Sequence, residues 1–144
     1  MGYTTTHTKL LIGLGVSAIS DIGTAYAQND KKLASYYSAI NKGILPLQKG
    51  YLLDETDLIF RAYILELACQ GHTKLQPDHF ALLKQYADAD MQEMLVDGLL
   101  ELNDSELIIT DKGKLFLRNI CHLMDIKARS KPASKAGPMF SKAV

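Results

Sequence analysis

Residues 9–20 read KLLIGLGVSAIS. The run is rich in Leu, Ile and Val and is broken by Gly13 and Gly15, the pattern of a strand buried on both faces. Strands of that kind belong to parallel sheets, whose neighbours arrive through crossover connections. Nothing else in the sequence supplies several more strands of the same type, so the run is expected to be a piece of something larger. Without its native neighbours it is expected to pair with a second copy, to pack as a non-native edge or to be poorly ordered, because an unpaired apolar strand is a liability in water.

Downstream of a glycine-containing turn at Asp21-Ile22-Gly23, residues 29–42 carry Leu33, Tyr36, Tyr37 and Ile40 at helical spacing. Asn29 or Asp30 is placed to cap this amphipathic helix, and Gly43 to end it. Pro46 and Gly50 then break the pattern, so residues 43–53 read as a connection and the boundary between two units falls there, giving 1–52 and 53–144. After Asp54, a wide apolar face of Leu58, Ile59, Ala62, Ile64, Leu65 and Ala68, closed by Gly71, predicts a helix over about residues 55–70. Pro77 opens a second helix with Phe80, Leu83 and Tyr86, and a third follows with Met91, Met94 and Leu95, stopping at Gly98. Residues 99–102 and 107–110 flank Asn103-Asp104-Ser105 as a hairpin. Asp111 to Gly113 leads into a last helix carrying Leu115, Phe116, Ile120, Leu123 and Met124. Three helices, a hairpin and another helix make a winged-helix-like order. Beyond Asp125 come Lys127, Arg129, Lys131, Lys135 and Lys142 with Pro132, Gly137 and Pro138, a basic tail expected to be poorly ordered unless docked.

Composition narrows the function. The 144 residues hold 16 Lys and Arg against 16 Asp and Glu, which disfavours a protein built to grip phosphate backbone. The candidate third helix carries Asp88, Asp90, Glu93 and Asp97, so its charge opposes DNA. No apolar run reaches membrane-spanning length and no leader pattern opens the chain, which reads as soluble and cytoplasmic, with neither nucleic acid nor membrane as partner. Gly13-Leu14-Gly15-Val16-Ser17-Ala18 matches the glycine pattern of dinucleotide sites, but that site needs a helix to start at the glycines, and the apolar run continues to Ile19 instead. Cys69, His72 and His79, with Cys121 and His122, are thiolate and imidazole groups without the two close ligand pairs of a structural zinc site. No nucleophile elbow, phosphate loop or paired-carboxylate motif stands out.

Several blocks read together point further: Gly2-Tyr3-Thr4-Thr5, Leu14-Gly15-Val16-Ser17-Ala18-Ile19-Ser20 and Tyr26-Ala27-Gln28-Asn29, then Asp97-Gly98-Leu99, Thr110-Asp111-Lys112-Gly113-Lys114 and Leu117-Arg118-Asn119-Ile120-Cys121. In this order they resemble the C-terminal part of the oxygen-independent coproporphyrinogen III oxidases, radical S-adenosylmethionine enzymes of haem biosynthesis. The resemblance implies a fold that is α+β and mostly helical: the remnant of a parallel (β/α) barrel over 1–52, then a helical, winged-helix-like C-terminal domain with a small hairpin over 53–144.

It also implies an activity, the oxidative decarboxylation of two propionates of coproporphyrinogen III to vinyls, giving protoporphyrinogen IX without oxygen. The family uses S-adenosylmethionine and a 4Fe-4S cluster held by a Cys-x-x-x-Cys-x-x-Cys triplet, which is absent here. The expectation is therefore a C-terminal fragment, inactive alone, whose partner is the N-terminal barrel of the same enzyme. Ile19 falls where the family contacts a second S-adenosylmethionine. Met1 stands where the family has Gln, as an expressed fragment's start would, and Phe60 stands where it tends to have the first of two arginines before Arg61. Arg118 is assigned to helix-surface pairing rather than to a substrate carboxylate. Two other readings stand beside this one: a freestanding winged-helix interaction or regulatory module, and a full-length paralogue that has lost the radical chemistry; related radical enzymes serve as haem carriers.

Overall fold

The computed structural model describes residues 10–130, so the block at residues 2–5, Met1 and the basic tail from Lys131 onward lie outside the described residues. The described chain is α+β, about half helical, with two small sheets and no closed barrel. It divides into two units between Leu58 and Ile59.

The first unit is built on a three-stranded sheet in the order β1-β2-β3, from β1 (Ile19–Asp21), β2 (Ala25–Asn29) and β3 (Leu47–Leu52). Both pairings are antiparallel, with Ile19 opposite Gln28 and Ala27 opposite Gly50. This corrects the reading of residues 9–20 as a doubly buried parallel strand. Only Ile19 and Ser20 of that run lie in a strand, Leu11 adds an isolated bridge to Asp21, and one copy of the chain supplies the whole sheet. The rest of the run is loop because the backbone reverses there: Gly15 sits at φ 100° and Ser17 at φ 57°. Its apolar side chains are exposed rather than buried, Leu14 at 87%. Residues 43–53 are likewise not a plain connection. Pro46 precedes β3 and so removes no ladder donor from it, and Gly50 pairs with Ala27 at a sheet edge, where both residue types are tolerated. Helix α1 (Leu33–Asn41) follows β2 and buries none of its residues, so the expected amphipathic face has no floor among the described residues.

The second unit has a real core. Helix α2 (Glu55–Gln70) begins at a reciprocal cap in which Asp57 N–H donates to Asp54 Oδ1 at 2.9 Å and Asp54 N–H donates to Asp57 Oδ2 at 3.1 Å. Its buried residues are Phe60 and Leu67, whereas Leu58, Ala62 and Leu65, assigned above to the apolar face, are exposed. Residues 77–96 form one helix, α3 (Pro77–Val96), in place of the two expected, because no glycine or proline interrupts them. Glycines 43, 71 and 98, all at positive φ, end the three helices where the sequence places the stops.

The hairpin forms as expected from β5 (Leu100–Asn103) and β6 (Glu106–Ile109) around Asp104, and β4 (His72–Lys74) adds a third antiparallel strand on the far side of β6. A 3-10 turn at Gly113–Phe116 leads to α4 (Leu117–Leu123), and the start of the expected loose tail is ordered as α5 (Ile126–Ser130). Leu67, Leu75, Leu83, Met91, Leu100, Leu107, Ile120 and Leu123 meet in one core and are essentially inaccessible to solvent. No helix among the described residues is long and apolar enough to cross a membrane.

Candidate functional site

The residue singled out above for cofactor contact, Ile19, begins β1 directly after the glycine loop. Much of the loop's main chain is held by the chain itself. Gly13 N–H donates to Ser20 Oγ at 3.1 Å, and Gly15 N–H to the Tyr36 hydroxyl at 3.1 Å. Ser17 N–H donates to the Asp30 carbonyl at 2.8 Å, and Ala18 N–H reaches the Gly15 carbonyl at 3.4 Å. On the acceptor side, Asn29 Nδ2 donates to the Gly13 carbonyl at 3.1 Å and to the Gly15 carbonyl at 2.9 Å, while Asn29 N–H donates to the Ala18 carbonyl at 2.9 Å.

Two conclusions follow. A phosphate cradle needs convergent free N–H groups at the start of a helix, and here those of Gly13, Gly15, Ser17 and Ala18 are committed while the next helix begins at Leu33. The dinucleotide pattern is therefore a coincidence of letters. Second, the loop presents apolar groups on a fixed backbone: Leu14, Val16 and Ile19 point outward, Ile19 at 42% exposure. Behind it, Gly13 packs so tightly on the Ile19 main chain that a Cβ there would stand 2.6 Å from the Ile19 carbonyl oxygen and 2.9 Å from its nitrogen. That cradle accepts only glycine, and it backs the main chain of an exposed apolar side chain, an arrangement that suits an apolar contact.

Sequence reasoning offered Asn29 or Asp30 as a helix cap and gave Tyr36 to an apolar helix face. The structure gives both to the loop. An Asn at the end of a strand rich in Ala and Tyr is a poor strand former, and that mismatch is the one signal that could have marked it.

The thiol and imidazole groups do not assemble. Among the described residues no group of three His, Cys, Asp or Glu side chains is placed to hold a metal ion. His79 is engaged by the Tyr63 hydroxyl through Nδ1 at 2.8 Å, with Phe60 and Tyr63 packed edge-on, and His72 faces Glu106 at 3.2 Å. Cys121 is half-buried, and that burial, with Cys69 nearby, raises its thiol pKa above the ordinary value. A 4Fe-4S cluster has no ligand set here, since Cys69 and Cys121 are the chain's two cysteines. Arg118 lies on the exposed side of α4. On α3, Asp90 pairs with Arg129 of α5.

No family model matches the chain. Individual proteins do. It is 34% identical over 99% of its length to an oxygen-independent coproporphyrinogen III oxidase from Synechocystis, of which it covers 32%. It is 37% identical, again over 99%, to the enzyme of the same name from Thermostichus vulcanus, covering 45% of that protein. In three dimensions it is similar to the solved coproporphyrinogen III oxidase of Escherichia coli, described as a radical SAM enzyme, with a TM-score of 0.69 and 36% identity over 86% of this chain and 30% of that one. The chain thus spans from just under a third to just under a half of the length of these two curated relatives.

Proposed function

We propose that the chain is the C-terminal part of an oxygen-independent coproporphyrinogen III oxidase, a cytoplasmic radical S-adenosylmethionine enzyme that converts two propionates of coproporphyrinogen III to vinyls. The observation that carries this reading is similarity to enzymes of that name along nearly the whole chain. In it, residues 1–52 close the end of the barrel-bearing body, and residues 53–144 form the helical, winged-helix-like cover. The 4Fe-4S cluster and the S-adenosylmethionine bound to it are held by the N-terminal part, and when bound they supply the radical that takes a propionate hydrogen. This chain contributes the fixed apolar wall at Ile19 and excludes water; alone it turns over no substrate.

The first unit supports this assignment over a freestanding interaction module. Its described residues bury only Ala25, Asn29 and Pro46, while its apolar side chains face outward on the loop, on α1 and on β3. A self-sufficient domain covers such surface, and a segment of a larger body leaves it for the body to cover.

Grafting this chain in place of the matching segment of the Escherichia coli enzyme provides the test. Anaerobic formation of protoporphyrinogen IX by the chimera is the expected result, and a soluble, cluster-loaded chimera that fails to decarboxylate would overturn the reading. Reading the DNA upstream of Met1 separates the fragment from a paralogue lacking radical chemistry: an in-frame Cys-x-x-x-Cys-x-x-Cys is expected there.

A further inference from the structure

The structure assigns Asn29 as the residue that positions Ile19, an inference that rests on the function proposed above and on the contact to a second S-adenosylmethionine that the family resemblance implies for Ile19. Asn29 is only 6% exposed, in a unit that buries almost nothing else. Buried polar groups are hydrogen-bonded, and among the described residues of this unit there is no apolar core for Asn29 to serve. What its side chain does is bind the loop. One amide nitrogen donates to two carbonyls two residues apart, those of Gly13 and Gly15, and thereby fixes both ends of the exposed Leu14. Gly13, so held, abuts the Ile19 main chain at a separation that leaves no room for a Cβ. From the other side, Asn29 N–H grips the carbonyl of Ala18, the residue before Ile19. A single residue therefore fixes Ile19 from behind and from its N-terminal flank.

The pairing register explains how Asn29 comes to face the loop. β2 and β3 pair regularly from Ala25 with Leu52 to Gln28 with Lys49, then shift so that Asn29 pairs with Leu47 and Gln48 is the extra residue. Such a bulge re-aims the side chains beside it. Tyr36 adds a third tether through Gly15 N–H.

Chemistry makes the donor pair specific. Asn29→Asp keeps the shape and replaces the amide with a carboxylate that faces two carbonyl oxygens, so it should fail at least as badly as Asn29→Ala. Asn29→Ser keeps a single, shorter donor.

The experiment uses the full-length enzyme carrying this segment, reconstituted with its cluster under anaerobic conditions. Equilibrium dialysis with radiolabelled S-adenosylmethionine measures the second equivalent, and hydrogen exchange measures the Gly13 and Gly15 amides. The wild type is expected to bind a second equivalent. N29A and N29D should weaken that equivalent by about tenfold or more, leave the first unchanged, and raise exchange at both glycines. A wild type that binds no second equivalent would overturn the cofactor contact at Ile19 and the role of Asn29 with it, while the proposed function stands or falls by the chimera. A wild type that binds it while N29A and N29D bind it equally well would overturn the role of Asn29 alone. Should N29A and N29D fail to fold, N29S decides: a few-fold weaker second equivalent is expected, and unchanged affinity with unchanged exchange would sink the inference.

Discussion

Gly113 and Gly98 are both glycines of the second unit, and they are glycine for different reasons. A Cβ at Gly113 would stand 2.0 Å from the Leu99 carbonyl oxygen and 3.0 Å from Ile109 Cγ2, so backbone itself must move to admit it. At Gly98 there is open space, and only the positive φ of 67° resists a side chain. Gly113→Ala is therefore expected to cost about 3 kcal/mol, near the top of the range for overpacking, and Gly98→Ala about 1 kcal/mol, the left-handed penalty. Urea unfolding of the two variants checks the order. Cys121 gives a pH dependence with a definite sign. Its folded thiol pKa is raised by burial, then by Cys69, so the unfolded chain loses that proton first. The associated stability is fully present below the unfolded thiol pKa of about 8.5 and is lost as pH rises through the folded value. Thermal melts between pH 8 and 10 should fall more steeply for wild type than for Cys121→Ser, and a thiol reagent at pH 8 should label exposed Cys69 before Cys121. At this scale the sequence was legible where a residue has one job. Gly43, Gly71 and Gly98 were found as helix stops, and Asn29 was missed because its partners, Gly13 and Gly15, become neighbours only once β2 is in place.

Among the elements, α3 shows how burial overrides letter-by-letter segmentation. Its apolar positions slip between Leu83 and Met91, which suggested two helices, yet Leu83, Ala87 and Met91 share one buried face because they are spaced four residues apart on one continuous helix. Leu83→Ala removes a side chain with no solvent exposure from the centre of that face and should cost about 2–5 kcal/mol, read by the same unfolding curves. By contrast Asp90→Asn, which breaks the pair with Arg129 at the edge of α3, should cost under about 1 kcal/mol because Asp90 is half exposed. The α2 helix and the hairpin were readable because cap, stop and turn chemistry are local to each. β3 was not. Its six residues are all exposed, so it carries no alternation of apolar and polar residues, and its place in the sheet comes from pairing with β2 alone. The loop of residues 11–18 misled in the opposite sense: apolar composition announces a covered surface, but says nothing about whether the backbone beneath it is strand or turn.

Taken as a whole, the chain is uneven. Residues 59–130 enclose the core, whereas residues 10–58 bury three side chains and present their apolar surface to solvent. Expressed separately, residues 53–130 should unfold cooperatively in urea, and residues 1–52 should show no cooperative transition until joined to the larger enzyme body. A sharp transition in residues 1–52 alone would contradict the division of labour proposed for the two parts. The change of pattern near residue 50 put a boundary at 52/53, and the described chain divides between Leu58 and Ile59; the architecture of the first part was not legible, because the groups that would cover its apolar side chains do not occur among the described residues. The bareness of that first unit has a thermal signature. Heat capacity on unfolding tracks the apolar surface newly exposed, and surface already in water adds nothing to it. Scanning calorimetry of the whole chain should then show a single endotherm of roughly 50 kcal/mol, the enthalpy of the second unit at about 0.7 kcal/mol per residue, with the first unit thermally silent.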